Sequence, residues 1–534
     1  MHKILVSDKL AQDALKLLEN EKDVEYTVKT GLSEDELAEE LTKYDALIIR
    51  SGTKVTPKVL SKVTKLKVIG RAGVGVDNVD MPTATEKGII VMNTPDANTI
   101  STAEQTITLI LGMARNLPQA DASLKAKKWD RSKYTGTELY GKTLGIIGLG
   151  RIGTEVAKRM LAFGMKIIAY DPFITKEKAE TLGIEIMELK DVIKNADILT
   201  FHVPKTKETT NMITAKEIEM MKDGVMIVNC ARGGIINEKD IADAINKGKV
   251  KKAAFDVYEK EPPFDSPLFN VDPDKIVMAP HLGASTIEAQ ENVGKVIVEQ
   301  VIEALKGGMI RNALNIPAVD PELLKEMQPY LTLNEKLGAF VAQITEGNIK
   351  SITVEYSGEV VNYNLKILTI AAVKGVLTPA LGDTINYVNA IPIAKARGIE
   401  VIEKTTTIKS DYPNLISITI QTEKEKRNAF GTISITKQAR IVKVDKFDVE
   451  IVPEKNILVY KNEDKPGVIG RLGTVLGANN INIASFALGR HKEEKIALGV
   501  LTLDNEVPQD VVTSIKNMEG IMIYYLKLIV LLKK

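Results

Sequence analysis

The stretch Leu144-Gly145-Ile146-Ile147-Gly148-Leu149-Gly150-Arg151-Ile152-Gly153 is the most informative about the fold. An apolar run enters G-x-G-x-x-G, and residues 154–162 continue with helical spacing. A buried strand that enters a glycine turn and leaves it as a helix is the phosphate-binding corner of a doubly wound sheet. In that corner Gly148 permits the tight turn, Gly150 lets a pyrophosphate approach the backbone, and Gly153 lets the helix pack on the strand. The helix N-terminal amides then face the phosphates. The next strand, predicted over 166–170, ends in Asp171, about 20 residues on, where such folds bind a ribose 2′-hydroxyl. A carboxylate there repels a 2′-phosphate, so NAD is favoured over NADP. A glycine turn in a cofactor-free domain is the competing explanation, and the full strand–turn–helix–strand context weighs against it.

Downstream of this corner, apolar runs at 198–202, 225–229, 253–256 and 276–279 predict further parallel strands. Upstream, runs at 3–7, 46–49, 67–69 and 88–92, with a helical stretch over 11–19, predict a second parallel layer. A helix over 101–116, capped by Thr99 or Ser101, joins the two, and a helix over 286–306, capped at Thr286, leaves them. The texture changes at Asn315-Ile316-Pro317-Ala318 and again near Val452-Pro453-Glu454-Lys455. Between these boundaries a helix over 322–345 precedes alternating strands. Beyond them the order is strand–helix–strand–strand–helix–strand, a ferredoxin-like sandwich. The expectation is an α/β chain: two Rossmann-like or flavodoxin-like lobes with parallel sheets, then an α+β domain, then a βαββαβ domain. The expected boundaries are 1–98 with 286–315, then 99–285, 316–452 and 456–530. The apolar close over 521–534 predicts an edge strand buried against another subunit.

Composition narrows the function classes. The 534 residues carry 71 basic and 70 acidic side chains, a net charge of +1. That balance argues against nucleic acid as a partner, while leaving room for a local cationic cleft. The one cysteine, Cys230, excludes an intrachain disulfide and fits a reducing compartment. The N-terminus begins as a strand without the apolar core of a signal peptide. The apolar tail is shorter than the roughly 20 residues that span a bilayer. The reading is a cytoplasmic protein with no membrane partner.

Histidine is scarce, with four in the chain. His281 follows a predicted strand end, where open parallel sheets bind their ligands. An imidazole titrates near neutrality and suits reversible proton transfer to a substrate oxygen. His202 also ends a strand and is the alternative. In Cys230-Ala231-Arg232-Gly233-Gly234, after strand 225–229, Arg232 can present its fork to a carboxylate or pair with a helix terminus. In Asp256-Val257-Tyr258-Glu259-Lys260-Glu261-Pro262, an acid could hold the histidine ring. The residues alone do not choose between Glu259 and Glu261.

GLGRIG, Asp171, NCARGG, DVYEKEPP and PHLGAST together resemble the D-isomer-specific 2-hydroxyacid dehydrogenases over residues 3–314. Asn386-Tyr387-Val388-Asn389-Ala390 with Ala394-Lys395-Ala396-Arg397-Gly398 resembles the intervening domain of the family's long forms. Asp464-Lys465-Pro466-Gly467 with Asn482-Ile483 resembles an ACT regulatory domain. The resemblance implies that Arg232 binds the substrate carboxylate and C2 oxygen, that Glu261 partners the ring, and that His281 is the general acid/base. It implies an NAD site lined by Arg151, Ile152, Cys230, Ala231, Arg232, His281, Leu282, Gly283 and Ala284, with Asp256 near the nicotinamide carboxamide. It implies reversible oxidation of a phosphorylated 2-hydroxy acid, opening a route to serine. Arg50, Ser51, Arg71, Val74 and Gly75 would then hold substrate, the last two through backbone amides. Trp129 and Arg131 lie on an arm that in such proteins reaches a neighbouring subunit's cleft, so a homo-oligomer, dimer or tetramer, is expected. Asp464 and Asn482 would hold an L-serine effector. Asn462, where some relatives carry an aromatic residue or histidine, keeps a ligand-free oligomerisation domain open. Two other functions stay open: a reductase of glyoxylate, hydroxypyruvate or 2-oxoglutarate, and a non-catalytic NAD-sensing protein.

Overall fold

Thr143–Ile147 is an inner strand of a seven-stranded, wholly parallel sheet. The computed structural model describes residues 1–317, 319–407, 411–454 and 456–527. Ala318 and Lys455, at the two boundaries read from the sequence, and the tail 528–534 lie outside them. Across this sheet the strands run Ile276–Met278, Val250–Phe255, Val225–Asn229, Ile198–Phe201, Thr143–Ile147, Lys166–Tyr170 and Glu185–Ile186. The strands Thr143–Ile147, Ile198–Phe201 and Val225–Asn229 are almost wholly buried and mostly apolar because helices cover both faces. The strand order reverses between Thr143–Ile147 and Ile198–Phe201. That switch point is where doubly wound sheets bind ligands, and the glycine turn sits on it.

A second parallel sheet runs Val24–Val28, His2–Val6, Ala46–Ile49, Val68–Arg71, Ile90–Met92, the flavodoxin-like order. Val24–Val28 and Glu185–Ile186 are absent from the sequence reading. Both are edge strands, covered on one side only, and their patterns are correspondingly weak. Two helices cross between the lobes. Ile287–Leu305 starts where expected, with Thr286 Oγ1 accepting from Ala289 N at 3.2 Å. Thr99–Arg115 differs from expectation. Its N-cap is Asn98, with no side-chain cap, and Thr99 and Ser101 lie inside the helix. The Ser101 and Thr102 hydroxyls donate to Gly283 O at 2.9 and 3.2 Å, so Ser101 anchors a loop of the cleft instead of capping the helix.

The chain returns to the first lobe before leaving it. Leu314 N donates to Val91 O at 2.8 Å, and Asn315 Nδ2 donates to Ile89 O at 2.8 Å. Beyond it, helices Pro321–Gln343 and Leu365–Leu381 pack on a six-stranded mixed sheet. The segment Leu365–Thr384 is, among the described residues, the one helical stretch long and apolar enough to cross a membrane, and it forms the core of this domain. Between the two helices Lys374 Nζ meets Glu335 Oε2 at 2.8 Å. Tyr387 OH donates to the other Glu335 oxygen, and Lys374 lies 4.9 Å from the Tyr387 ring centroid. Breaking one member of a buried pair strands the other charge. Glu335→Ala is therefore expected to destabilise this domain by about 3–5 kcal/mol, read by denaturant unfolding. A loss below about 1 kcal/mol would mean the pair is effectively solvated. Asn386 Nδ2 donates to Gly88 O at 2.8 Å and ties this domain to the first lobe.

The last domain has the expected βαββαβ order, with its sheet running Ile483–His491, Ile496–Leu503, Asn456–Glu463, Ile521–Lys527. Ile521–Lys527 is an edge strand, and Arg427 of the preceding domain lies 5.8 Å from its Tyr524 ring.

Candidate active site

At the glycine turn, Gly148 has φ +95°, and a Cβ there would also meet His202 O at 2.6 Å. A Cβ on Gly153 would overlap Gly148 O, which is how the helix Arg151–Ala162 comes so close to the strand. A Cβ on Gly150 would meet nothing within 4 Å, so the backbone there is open to a ligand. Asp171 is pinned at the strand end, accepting from Leu149 N and Phe173 N, both at 2.8 Å. Each oxygen keeps a lone pair for a ribose hydroxyl. An open glycine cradle, a helix N-terminus and a fixed carboxylate fit a dinucleotide with a free 2′-hydroxyl. Arg151 Nε pairs with Asp96 Oδ1 of the first lobe at 2.5 Å, and Ile152 packs into the core beside the turn.

Asp256 organises the facing loop. It is fully buried and accepts from Leu282 N and Gly283 N, both at 2.8 Å, and from Gln105 Nε2 at 3.3 Å. Those bonds hold His281 at φ +57°, a left-handed conformation that costs a non-glycine residue about 1–3 kcal/mol. Cys230 Sγ lies 3.5 Å from the same carboxylate, and burial, then the Asp256 charge, pushes its thiol up. Cys230 is thus a neutral, buried wall of the site.

The His281 ring meets Glu261, with Nδ1 2.8 Å from Oε2, while Glu261 Oε1 accepts from Tyr258 N at 3.2 Å. Burial pushes the Glu261 carboxyl up, but the His281 hydrogen bond and charge, the Tyr258 amide and Arg232 outweigh it and hold it below the usual carboxylate range. An ionised carboxylate only accepts, so Nδ1 carries the proton and Nε2 is left for a substrate. The choice the sequence left open falls on Glu261. The Glu259 amide is engaged with Glu238 Oε1 at 2.5 Å instead. The alternative histidine, His202, contacts Thr200 Oγ1 at 3.2 Å, lies outside the lining of the cavity that holds His281, and burial pushes its ring down to about 4, so it is neutral near pH 7.

Arg232 is aimed by Asn229, whose Nδ2 donates to Arg232 O at 2.9 Å and whose Oδ1 accepts from Ala231 N at 3.1 Å. Its guanidinium reaches Ala231 O at 2.7 Å and Asp77 Oδ2, from the other lobe, at 3.3 Å. Arg71 enters from the end of Val68–Arg71. Burial, then the Arg232 charge, pushes its guanidinium down to about 10. Arg71 Nε is a buried cationic donor with no partner among the described residues. Arg71, Val74, Gly75, Arg232, Glu261, His281 and Ala284 line one cavity of about 310 Å³ between the lobes. A roomier hollow of about 520 Å³ behind the crossover is lined by Asp96, Glu104 and Glu288 and by no Lys, Arg or His, which suits an anion poorly.

Other expected residues lie elsewhere. Arg50 and Ser51 are not in the cavity lining. Arg50 Nη1 turns to Lys9 O at 3.5 Å, although its charge is felt by Arg71. Trp129, 76% exposed, and Arg131 lie on the outer arm of the single chain. Asp464 is engaged by Arg490 Nε and Nη2 at 2.7 and 2.6 Å, and Asn482 Nδ2 donates to Asp504 Oδ2 at 2.6 Å. Both expected effector ligands therefore have partners within the chain. The sequence reading missed Asp77 and Lys205, which also line the cavity. The strand-end rule would have drawn attention to Lys205, four residues past Ile198–Phe201.

Residues 107–283 match the family model of the D-isomer specific 2-hydroxyacid dehydrogenase NAD binding domain. Residues 326–445 match the D-3-phosphoglycerate dehydrogenase intervening domain, and 456–520 match the ACT domain. The structure of D-lactate dehydrogenase from Aquifex aeolicus, complexed with NAD and lactic acid, is 29% identical, with a TM-score of 0.54, over 59% of this chain and 100% of that one. Fold and site thus define an NAD-dependent D-2-hydroxyacid dehydrogenase. A D-3-phosphoglycerate dehydrogenase of Methanocaldococcus jannaschii is 47% identical over 98% of both chains, and that of Bacillus subtilis is 40% identical over 98% of both. The chain belongs to the D-3-phosphoglycerate dehydrogenase family.

Proposed function

We propose that this chain oxidises 3-phospho-D-glycerate reversibly to 3-phosphohydroxypyruvate with NAD, the first step of the phosphorylated route to L-serine. The observation that carries the reading is the placement of the His281–Glu261 pair opposite Arg232 and Arg71 in one cavity. The site residues act as follows. Arg232 holds the substrate carboxylate and polarises the C2 oxygen. His281 Nε2 takes the C2 hydroxyl proton, and Glu261 steadies the imidazolium that forms. Arg71, with the Val74 and Gly75 amides, receives the phosphate end. NAD, when bound, would supply the hydride-accepting ring. Gly148, Gly150, Arg151, Ile152 and Gly153 would hold its pyrophosphate, and Asp171 would hold the adenosine ribose. Asp256, through Leu282 and Gly283, keeps the His281 loop in register with Cys230 and Ala231 beside it.

Purified protein should reduce NAD with 3-phosphoglycerate and oxidise NADH with 3-phosphohydroxypyruvate. Absence of both activities would overturn the reading. The buried Arg71 Nε, without a partner among the described residues, favours a substrate with a second anionic group, as a phosphate supplies, over glyoxylate. Asp171→Ser is expected to shift the NAD-to-NADP preference by about 10- to 100-fold, the worth of a hydrogen bond to a charged group. Equal preference ratios in variant and parent would place the ribose elsewhere.

The same reading extends to the assembly. The chain works in the cytoplasm as a homo-oligomer, with the exposed Trp129 and Arg131 arm meeting a neighbouring subunit. Residues 1–98 with 286–315, 99–285, 316–452 and 456–530 are its domains. The last one takes L-serine through Asp464 and Asn482, once their present partners Arg490 and Asp504 release them.

A further inference from the structure

Besides Arg71 and Arg232, the cavity is lined by a third cationic side chain, Lys205. Lys205 follows the carboxyl end of Ile198–Phe201, on the lobe that carries the glycine turn. It lines the same cavity as Arg71, Arg232 and His281. Lys205 is exposed, and its end lies beside the arginine loop: a Cβ built on Gly234, two residues past Arg232, would lie 2.7 Å from Lys205 Nζ and 3.1 Å from its Cε. The ammonium therefore rests over that glycine, at a spot where any side chain would displace it.

The charges around the cavity leave this ammonium available. The lining carries Arg71, Lys205 and Arg232 against Asp77, Glu259 and Glu261. Asp77 is engaged by Arg232 and Glu261 by His281. Among the described residues Lys205 has no ion pair, and Glu259, whose Cγ lies 3.9 Å from the same Gly234 position, has none either. A phosphorylated 2-hydroxy acid brings a carboxylate and a phosphate with about −1.5 to −2 charge at pH 7. Arg232 matches the carboxylate. Arg71 alone leaves the phosphate under-neutralised, and Arg50 stands outside the lining. Lysine is chemically suited to that position, because it binds phosphate as a point charge on a long stem, without a fixed fork geometry.

We infer that Lys205 is a specificity residue that binds the substrate's phosphate from the NAD-binding lobe, opposite Arg71 of the other lobe. The phosphate is then held from both sides of the cleft, and a phosphorylated substrate favours closure where an unphosphorylated one does not. This rests on the phosphorylated substrate proposed above.

The test uses the full chain with Lys205→Met and Lys205→Arg. KM and kcat are measured in the reductive direction with 3-phosphohydroxypyruvate and with hydroxypyruvate. Binding of 3-phosphoglycerate and of NADH is followed separately by calorimetry. Lys205→Met is expected to raise KM and weaken 3-phosphoglycerate binding by about tenfold, the worth of one hydrogen bond to a charged group. The loss falls on KM rather than kcat, because the ammonium touches the phosphate and not C2. KM for hydroxypyruvate and the NADH affinity should move by less than about twofold, and Lys205→Arg should restore most of the phosphate affinity. An unchanged KM for 3-phosphohydroxypyruvate in Lys205→Met overturns the inference. So does an equal rise for both substrates, which would mean that Lys205 merely props the Gly234 loop. If the parent enzyme binds 3-phosphoglycerate in a Lys205-dependent way without turning it over, the inference stands and the proposed activity falls. If the parent neither binds nor reduces phosphorylated acids, both fall.

Discussion

His281→Asn is expected to lower kcat by about 10²–10⁴-fold, the usual contribution of a positioned acid/base. Asparagine is the informative replacement. His281 sits at φ +57°, a conformation asparagine tolerates better than alanine does. The loop bonded to Asp256 through Leu282 and Gly283 therefore stays in place while proton transfer is lost. His281→Ala removes the same ring and adds strain on the loop, so its NADH affinity should fall where that of His281→Asn does not. Steady-state kinetics with calorimetric NADH binding separate the two effects. A His281→Asn enzyme within tenfold of the parent would assign the proton to another group.

Arg232→Gln is expected to cost about 10²–10³ in kcat/KM. The arginine both grips the carboxylate and stabilises charge at the C2 oxygen, and glutamine keeps neither charge nor fork. Arg232→Lys should recover little, because a lysine cannot make the bidentate contact. Asp77 would also lose its cross-lobe partner, 3.3 Å away in the parent. Arg71 would regain basicity, since the Arg232 charge is the second cause of its lowered pKa after burial. Kinetics on both variants check this. Activity within tenfold of the parent in Arg232→Lys would mean that a single charge suffices.

The parts of the site that were legible in the sequence share a property: neighbouring residues set their geometry. Gly148 and Gly153 announce a turn because the backbone there packs against its own strand–turn–helix unit and the adjoining strand end. Asp171 ends a strand that pairs with the turn's own strand, so its place follows from the same unit. Thr286 caps its helix within one turn. Where an outcome depended on distant segments, local pattern was insufficient. Thr99 and Ser101 have the chemistry of N-caps, but Ser101 is used by Gly283, 182 residues on. Arg50 and Arg71 both lie at the ends of parallel strands, and only Arg71 enters the cavity. Glu259 and Glu261 sit two apart on one turn, and the His281 loop selects between them. Lys205 and Asp77 carry no local signature of their own.

Read alone, the chain already specified most of its inner strands, their parallel layering, the dinucleotide corner and the order of its parts, because apolar periodicity and glycine placement act over a few residues, whereas the edge strands Val24–Val28 and Glu185–Ile186 left too weak a pattern. The pairings within the site came from the folded arrangement: Glu261 with His281, Asp256 with the loop amides, Asp77 with Arg232, and Arg71 and Lys205 around one cavity. Those pairings follow from how two sheets face each other across a cleft. Coulomb and hydrogen-bond energies depend on distances of a few ångströms between atoms that the chain separates by tens to hundreds of residues, and only the docked fold sets those distances.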